Sequence, residues 1–579
     1  MKELYKNLDN LRGYVNIEEA LELIYVTKAW IKLSDDAKLE EELTFDNFYS
    51  KKVEVKKLAS IFKELAKNIK FFSLYHFNVK SYDDDKLIKI LGIVKNIEKL
   101  PTVHDSFYSD KGKASDFTVS NQVAELGIKL LNGDSKELYV PFTNGFAYTQ
   151  YTDKRIYADN QFPKAELYAE LIKILEDKEI DFSLTNALEN PTFTNHDAPY
   201  LLKEFESVLS FPAFGLRGKL DTSKDKFHRF QFQRGAVLDI AHFEHILAQT
   251  KSKAVVLMPV GFTYRAGNEE QFRKYLVDKN YIEAIIQLPP NLYSATSIET
   301  TFFVINKQKI DNKVLFINLK DESFITRDRR KLVFKSLDEI VNIYKNKKEI
   351  ESISCVVTNE KIEKNNYSFA IDRYVISQEA KELQEVLKQF ELIMLDDIAE
   401  IRRSQLFKDE GEGKEVYEIS PSDFNKAGYT LECGKVKQIG SQYRRLQTYK
   451  LEPYDVLLST KGTIGKVALI GEISDAMIAS QAIQVIRVQD TDKKEKAISL
   501  YMFFKSNLGQ TILSSLVAGV AMPQIATSEI KQLKIPILSK EQKKQTVLNF
   551  NNEIKLYNEI DKINTGIEHI HSSFLGVNV

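Results

Sequence analysis

Cations come first among the residues whose type and spacing could do chemistry. Arg402 and Arg403 are adjacent, as are Arg444 and Arg445, and Lys461 and Lys466 bracket the glycine turn KGTIGK (461–466). Lys and Arg are the side chains that neutralise phosphates, and the two-pronged guanidinium also matches the paired acceptors on a guanine edge. Ser480, Gln481 and Gln524 are polar groups of the kind that reach base edges. A basic run from Lys51 to Lys57 is the alternative phosphate surface. KGTIGK lacks the spacing of a nucleotide phosphate loop and lies between strand-like runs, so it reads as a turn. His242 and His245 fall three apart on a helical stretch without a third ligand, which makes them packing or surface histidines and leaves no metal site. In LPPN (288–291) the Asn follows the prolines, and the run reads as a structural turn.

These groups need a scaffold, and 579 residues supply three or four domains' worth of chain. With 43% hydrophobic and 28% charged residues the composition is globular, not disordered or disulfide-stapled. Lys+Arg 81 against Asp+Glu 82 leaves a net charge of −1, so any DNA surface must be local. Cys355 and Cys433 are far apart, which excludes a disulfide framework and points to a reducing compartment. No signal segment and no run of about 18 apolar residues occurs, so the expectation is a cytoplasmic protein with no membrane partner.

The elements follow from periodicity. From Asn16 to about Leu100 apolar residues recur at helical spacing, which predicts a helical N-terminal domain, 1–105. The polar stretch Val103 to Ala114 predicts a loop. From 106 to 376, helical stretches alternate with apolar runs at Leu138–Val140, Ile180–Leu184, Val208–Phe211, Ala254–Pro259, Tyr281–Leu288, Thr301–Asn306 and Val314–Leu319. That alternation predicts a doubly wound α/β domain with a mainly parallel sheet. A connector helix spans 377–393. Short strands at Val416–Ile419, Asp455–Leu458, Gly465–Ile470 and Ile483–Val488 predict a compact mixed α/β domain, 394–538. The tail, 539–579, carries Val547, Phe550, Ile554, Tyr557, Ile560, Ile563, Ile567 and Ile570 at three-to-four spacing, the pattern of an amphipathic helix with a packing seam.

Four blocks of the middle domain, AVVLMPVGFTYRAGNEEQFRKYLV (254–277), YIEAIIQLPPNLYSATSIETTFFVINK (281–307), VLFINLKDESF (314–324) and SFAIDRYV (368–375), resemble in order the N6-adenine DNA methyltransferase (M) subunit of type I restriction-modification systems. The C-terminal blocks LDDIAEIRRSQ (395–405), YDVLLSTKGTIGKVALIG (454–471), ASQAIQVIRV (479–488) and AGVAMPQIATSEIKQLKIPILSKEQKKQTV (518–547) resemble one target-recognition half of the matching specificity (S) subunit. The resemblance implies a fused M-plus-S protein of a bacterial restriction-modification or phage-defence system with a class I methyltransferase-like domain. It implies double-stranded DNA as partner, recognised by the C-terminal domain. It also implies a homo-oligomer, or other restriction-modification or defence subunits, joined through the C-terminal spacer helix; the alternative is that this helix folds back onto the connector Ser377 to Leu392 of the same chain.

In that family S-adenosylmethionine sits at the carboxyl ends of the strands, on a glycine-rich turn and two acids, and an N-P-P-F/Y motif holds the flipped adenine. Here the positions remain and the chemistry changes. VPFTNGF (140–146) puts Val140 where the acid falls, keeps Pro141, and places Asn144 and Phe146, on either side of Gly145, where glycines belong. Asn160 stands at the ribose-binding acid with Asp159 one place off, and Asn186 stands at the third acidic position. SFPAFG (210–215) offers Phe211, Pro212, Ala213 and Phe214 for N-P-P-F, and the upstream F-Y-T-P motif becomes DFTV (116–119). The expectation is a methyltransferase fold with no intact catalytic or cofactor residues and no cofactor. The alternative is an active adenine-N6 methyltransferase that uses S-adenosylmethionine through a divergent pocket, with Asp159 or a neighbour on the ribose.

Overall fold

A computed structural model describes Leu4, Leu8 and residues 15–572, apart from 109–117, 291–297, 425–428, 517–523 and a few single or paired positions. The chain forms two compact units, Met1–Ile371 and Asp372–Val579.

The first unit begins with helices. Asn16 starts the helix Ile17–Asp35 by accepting the Glu18 and Glu19 amides, and the helix buries Leu21, Leu23, Ile24, Val26 and Trp30. The helix Val55–Leu65 buries Val55, Leu58, Ile61, Phe62 and Leu65 along one stripe, as its spacing predicts. The loop expected from Val103 is corrected in part. Val103–Phe107 is a short helix whose first turn is capped by the Thr102 hydroxyl, and its polar Asp105 and Ser106 bond Asn121 and Tyr25. Most of the rest of that stretch lies outside the described residues.

Behind the helices stands a nine-stranded sheet. Its strands are β1 (Glu137–Val140), β2 (Arg155–Asn160), β3 (Ile180–Leu184), β4 (Phe205–Ser210), β5 (Thr250–Pro259), β6 (Ile282–Gln287), β7 (Thr300–Asn306) and β8 (Lys313–Asn318). A separate hairpin of β9 (Ile325–Asp328) and β10 (Lys331–Phe334) precedes β11 (Ser354–Thr358), the ninth strand. The order is β11-β8-β6-β7-β5-β4-β1-β2-β3. Pairing is parallel except around β7 and β11. The central strands are apolar on both faces, as buried parallel strands require. The order runs outward in both directions from the β1–β4 pair, so the loops after those two strands frame a switch point, where open α/β sheets take their ligands.

In the second unit the helix Gln378–Leu387 leads to β12 (Leu392–Met394), which pairs with β21 (Lys534–Pro536) near the far end of the domain. Between them β13 (Ala399–Arg403), β20 (Ile483–Val488), β17 (Val456–Ser459), β18 (Val467–Ile470) and β15 (Tyr429–Thr430) form one sheet. β16 (Lys435–Ile439), β14 (Lys414–Ile419) and β19 (Met477–Ala479) form another. A helix, Lys540–Ser572, closes the unit. Phe550 is fully buried there against the rings of Tyr429 and Tyr501, and Val547 and Ile554 pack beside it. Beyond this anchor Leu556, Ile560, Ile563 and Ile567 are 45–62% exposed at heptad spacing. Among the described residues no helix is long and apolar enough to cross a membrane.

Candidate cofactor pocket and nucleic-acid interface

The loop after β1 holds the glycine-rich position. Phe142 has φ +56°, unusual for an aromatic residue, and is kept there by its amide, which donates to Asp159 Oδ1 at 3.0 Å. Its ring meets His242 and His245 edge-on. Asp159, near the end of β2, points inward, and its Oδ2 accepts the Tyr139 hydroxyl at 2.7 Å. Tyr139 also bonds His245 Nε2 at 2.9 Å, and Arg229 Nη1 lies 2.6 Å from His245 Nδ1. Arg229 can only donate, so His245 Nδ1 accepts, Nε2 carries the proton toward Tyr139, and the Tyr139 hydroxyl donates to Asp159. Burial and the Arg229 charge hold His245 well below its ordinary pKa, consistent with a neutral ring. Arg229 is fixed by Asp225 and by the carbonyls of Ala187 and Leu188. Both histidines expected at the surface or in packing are buried, and sequence reasoning missed the Arg229–His245–Tyr139 chain.

The other pocket positions are also engaged. Asn160 donates to Thr143 O and accepts the Phe162 amide at the start of the helix Pro163–Leu175. Asn144 donates to Phe211 O, and Asn186 accepts the Leu188 amide inside its own turn. Gly145 has φ +93°, and a Cβ there would come within 3.0 Å of His104 Nδ1. Phe146 is 0% exposed among Tyr108, Tyr148 and Phe182, and its amide donates to His104. Val140 and Pro141 are buried, and Pro141 O accepts Ser210 Oγ, which ties the β1 and β4 loops together. Phe211 lies beside Gly127 and faces Phe302, with Pro212 and Phe214 buried and Ala213 half-buried after it.

In the second unit three loops converge. The Thr460 amide donates to Ala482 O, the Ile525 amide donates to Thr460 O, and Lys461 bridges Gln524. Lys461, Gln481 and Gln524 are therefore exposed close together, on a turn made by Gly462 and Gly465 at φ +74° and +83°. Lys466 is exposed and reaches Pro421 O, while Ser480 is half-buried with its Oγ unpartnered among the described residues. Arg403 joins this group through Thr527, which sequence reasoning missed. Arg402 pairs with Glu400 and lines, with Arg403, Thr448 and Tyr449, a cavity of about 360 Å³. Arg444 and Arg445 are exposed on the short helix Tyr443–Leu446 just before Thr448.

Residues 148–383 match the N-6 DNA Methylase family, and residues 388–564 match the Type I restriction modification DNA specificity domain. The chain joins an N-6 DNA methylase domain to a type I specificity domain. The MpnII type I restriction enzyme methylase subunit of Mycoplasma pneumoniae is 34% identical over 189 residues, 31% of this chain and 34% of that protein. The MjaVII methylase subunit of Methanocaldococcus jannaschii is 33% identical over 159 residues, 26% of this chain and 28% of that protein. The matched stretches thus span about a third of these relatives or less. The type I restriction-modification methyltransferase subunit of Streptococcus thermophilus has the same fold, with a TM-score of 0.53 at 16% identity over 65% of this chain and 98% of that one.

The methylase fold implies S-adenosylmethionine, and the residues at its switch point do not fit it. Phe146 stands where the family has a glycine and is buried in the core with its amide on His104, and each Asp159 oxygen already accepts a bond inside the protein. Among the described residues no group of three or more His, Cys, Asp or Glu is placed to hold a metal.

Burial raises the Asp159 pKa from 3.8 to about 6, against the opposing bonds from Phe142 and Tyr139. The folded protein therefore keeps a proton that the unfolded chain releases, and stability falls as pH rises from about 4 to 6, by about 3 kcal/mol in all. In Asp159→Asn this loss is absent. Calorimetry from pH 4 to 6.5 should show the unfolding temperature of the variant gaining on that of the unaltered protein; parallel curves would mean that Asp159 titrates as an ordinary carboxylate.

Proposed function

We propose that this protein recognises duplex DNA through its specificity domain, within a bacterial restriction-modification or phage-defence system, and that its methylase domain is a scaffold that does not use S-adenosylmethionine. The observation that carries the second half is the altered switch point, where Phe146 is buried at a glycine position of the family motif and Asp159 is held by Tyr139 and the Phe142 amide. A hydrogen bond to a charged group is worth about 1.5–3 kcal/mol. Losing two acids removes roughly 3–6 kcal/mol from a micromolar affinity of about 8 kcal/mol, which leaves millimolar binding or weaker. Phe211 in place of the catalytic Asn also leaves the adenine amino group without its acceptor. The second reading, adenine-N6 methylation through a divergent pocket, draws on the relatives, which are methylase subunits. It requires the buried Asp159 carboxyl group to become accessible to the ribose.

The working division of the chain is a helical region 1–105, a methylase-like domain 106–376, a connector 377–393, a recognition domain 394–538 and a spacer helix 539–579. One recognition domain gives half a site per chain. A second copy, or another restriction-modification subunit, completes it through the exposed stripe Leu556–Ile567.

Titration calorimetry with S-adenosylmethionine, alone and with duplex DNA, should give no binding tighter than about 100 μM; a low-micromolar constant would sink the scaffold reading. Duplex binding should weaken steeply with salt, each phosphate contact adding about 0.9 to the log–log slope. Arg444→Glu with Arg445→Glu should lower both affinity and slope, and unchanged binding would move the surface to Lys51–Lys57. Light scattering on the full protein should show an oligomer that Ile560→Lys with Ile563→Lys dissociates; a full-length monomer would remove the helix as the contact.

A further inference from the structure

Three arginines line the 360 Å³ cavity of the specificity domain, and they are held in three different ways. Arg487 spends its donors on Asp455, Glu452 and Lys450 O and is buried. Arg402 faces the Glu400 carboxylate, which offsets its charge. Arg403 is exposed and, among the described residues, held only by a neutral acceptor, the Thr527 hydroxyl oxygen, 2.8 Å from its Nε. Thr527 is in turn bonded at 3.0 Å by the side-chain amide of Gln484, which stands opposite Arg403 in the β13–β20 register. Thr527 and Gln484 are 8% and 7% exposed, so the clamp lies under the arginine and the arginine lies on the surface.

A bond at Nε fixes the plane of a guanidinium and leaves its two terminal nitrogens side by side. In Arg403 those nitrogens have no partner among the described residues. Two parallel donors on a fixed plane match the O6 and N7 acceptors of guanine; adenine offers one acceptor and one donor there, and cytosine a donor.

We propose that Arg403 reads a guanine in the major groove, and that Thr527, steadied by Gln484, is the residue that positions it. The inference rests on the duplex-recognition reading above and adds to it which base is read and by which group. A phosphate would accept the same fork, but a phosphate contact carries no base preference and its loss weakens all sequences alike.

The test selects duplexes from a randomised 20-base-pair pool with the full-length protein and with Arg403→Ala, Thr527→Val and Thr527→Ser. The unaltered protein should enrich a consensus with a guanine that Arg403→Ala no longer requires while the other positions persist. Thr527→Val should relax the same position, and Thr527→Ser, which keeps the hydroxyl, should retain it. Replacing that guanine by 7-deazaguanine in the selected duplex should cost the unaltered protein on the order of tenfold in affinity and cost Arg403→Ala nothing. A consensus unchanged in Arg403→Ala overturns the inference, and so does a uniform loss of affinity with the consensus intact, which assigns a phosphate. No enriched sequence with the unaltered protein overturns duplex recognition itself, and this inference with it.

Discussion

The carboxyl group of Asp159 sets how the methylase domain is built at its ligand-bearing edge. It accepts from the Tyr139 hydroxyl and from the Phe142 amide, and the second bond holds Phe142 in a left-handed conformation. That conformation directs the chain from β1 into the Thr143–Phe146 loop, whose side chains bond and pack within the protein. Left-handed backbone at a bulky residue costs on the order of 1–3 kcal/mol and persists only where the surroundings over-determine it. Here the carboxylate, the two histidine rings and the Ser210 bond to Pro141 O supply that determination.

The same carboxyl group ends a directed chain of donors that starts at Arg229. Each member of Arg229, His245, Tyr139 and Asp159 uses the partner it has, so the chain ties the 225–229 loop and the helix Asp239–Ala248 to β1 and β2. A buried polar chain of this kind is stable only when each member is satisfied. A cofactor hydroxyl would have to reach a carboxyl group that is 2% exposed and already bonded to Tyr139 and the Phe142 amide.

What was legible in the sequence follows the range of the interactions. Apolar runs such as TTFFVIN in β7 and KVLFIN in β8 announce buried strands locally, and the stripe Val55, Leu58, Ile61, Phe62 and Leu65 announces a helix. β2 was absent from the apolar runs because RIYADN begins with a charge and ends on two polar residues that the fold buries. The replaced glycines and acids were legible as residue types, but their new partners were not. Tyr139 and His245 are 106 residues apart, and Arg403 and Thr527 are 124 apart. No local pattern encodes such a bond. The tail shows the same limit, since one run of apolar residues divides into a buried anchor around Phe550 and an exposed stripe from Leu556, and only the tertiary packing decides where the change falls.

The two units differ in where their polar atoms are spent. At the methylase switch point Asn144, Asn160, Asn186, Asp159 and the Phe146 amide all bond within the protein, so a ligand arriving there would have to exchange existing bonds for new ones. In the specificity domain Lys461, Arg444, Arg445 and the terminal nitrogens of Arg403 are presented on a turn, a short helix and a strand end. A polyanion meeting that surface gains charge-assisted bonds and breaks few. That asymmetry in unspent donors is the physical ground for the proposal that the second unit recognises DNA and the first supports it.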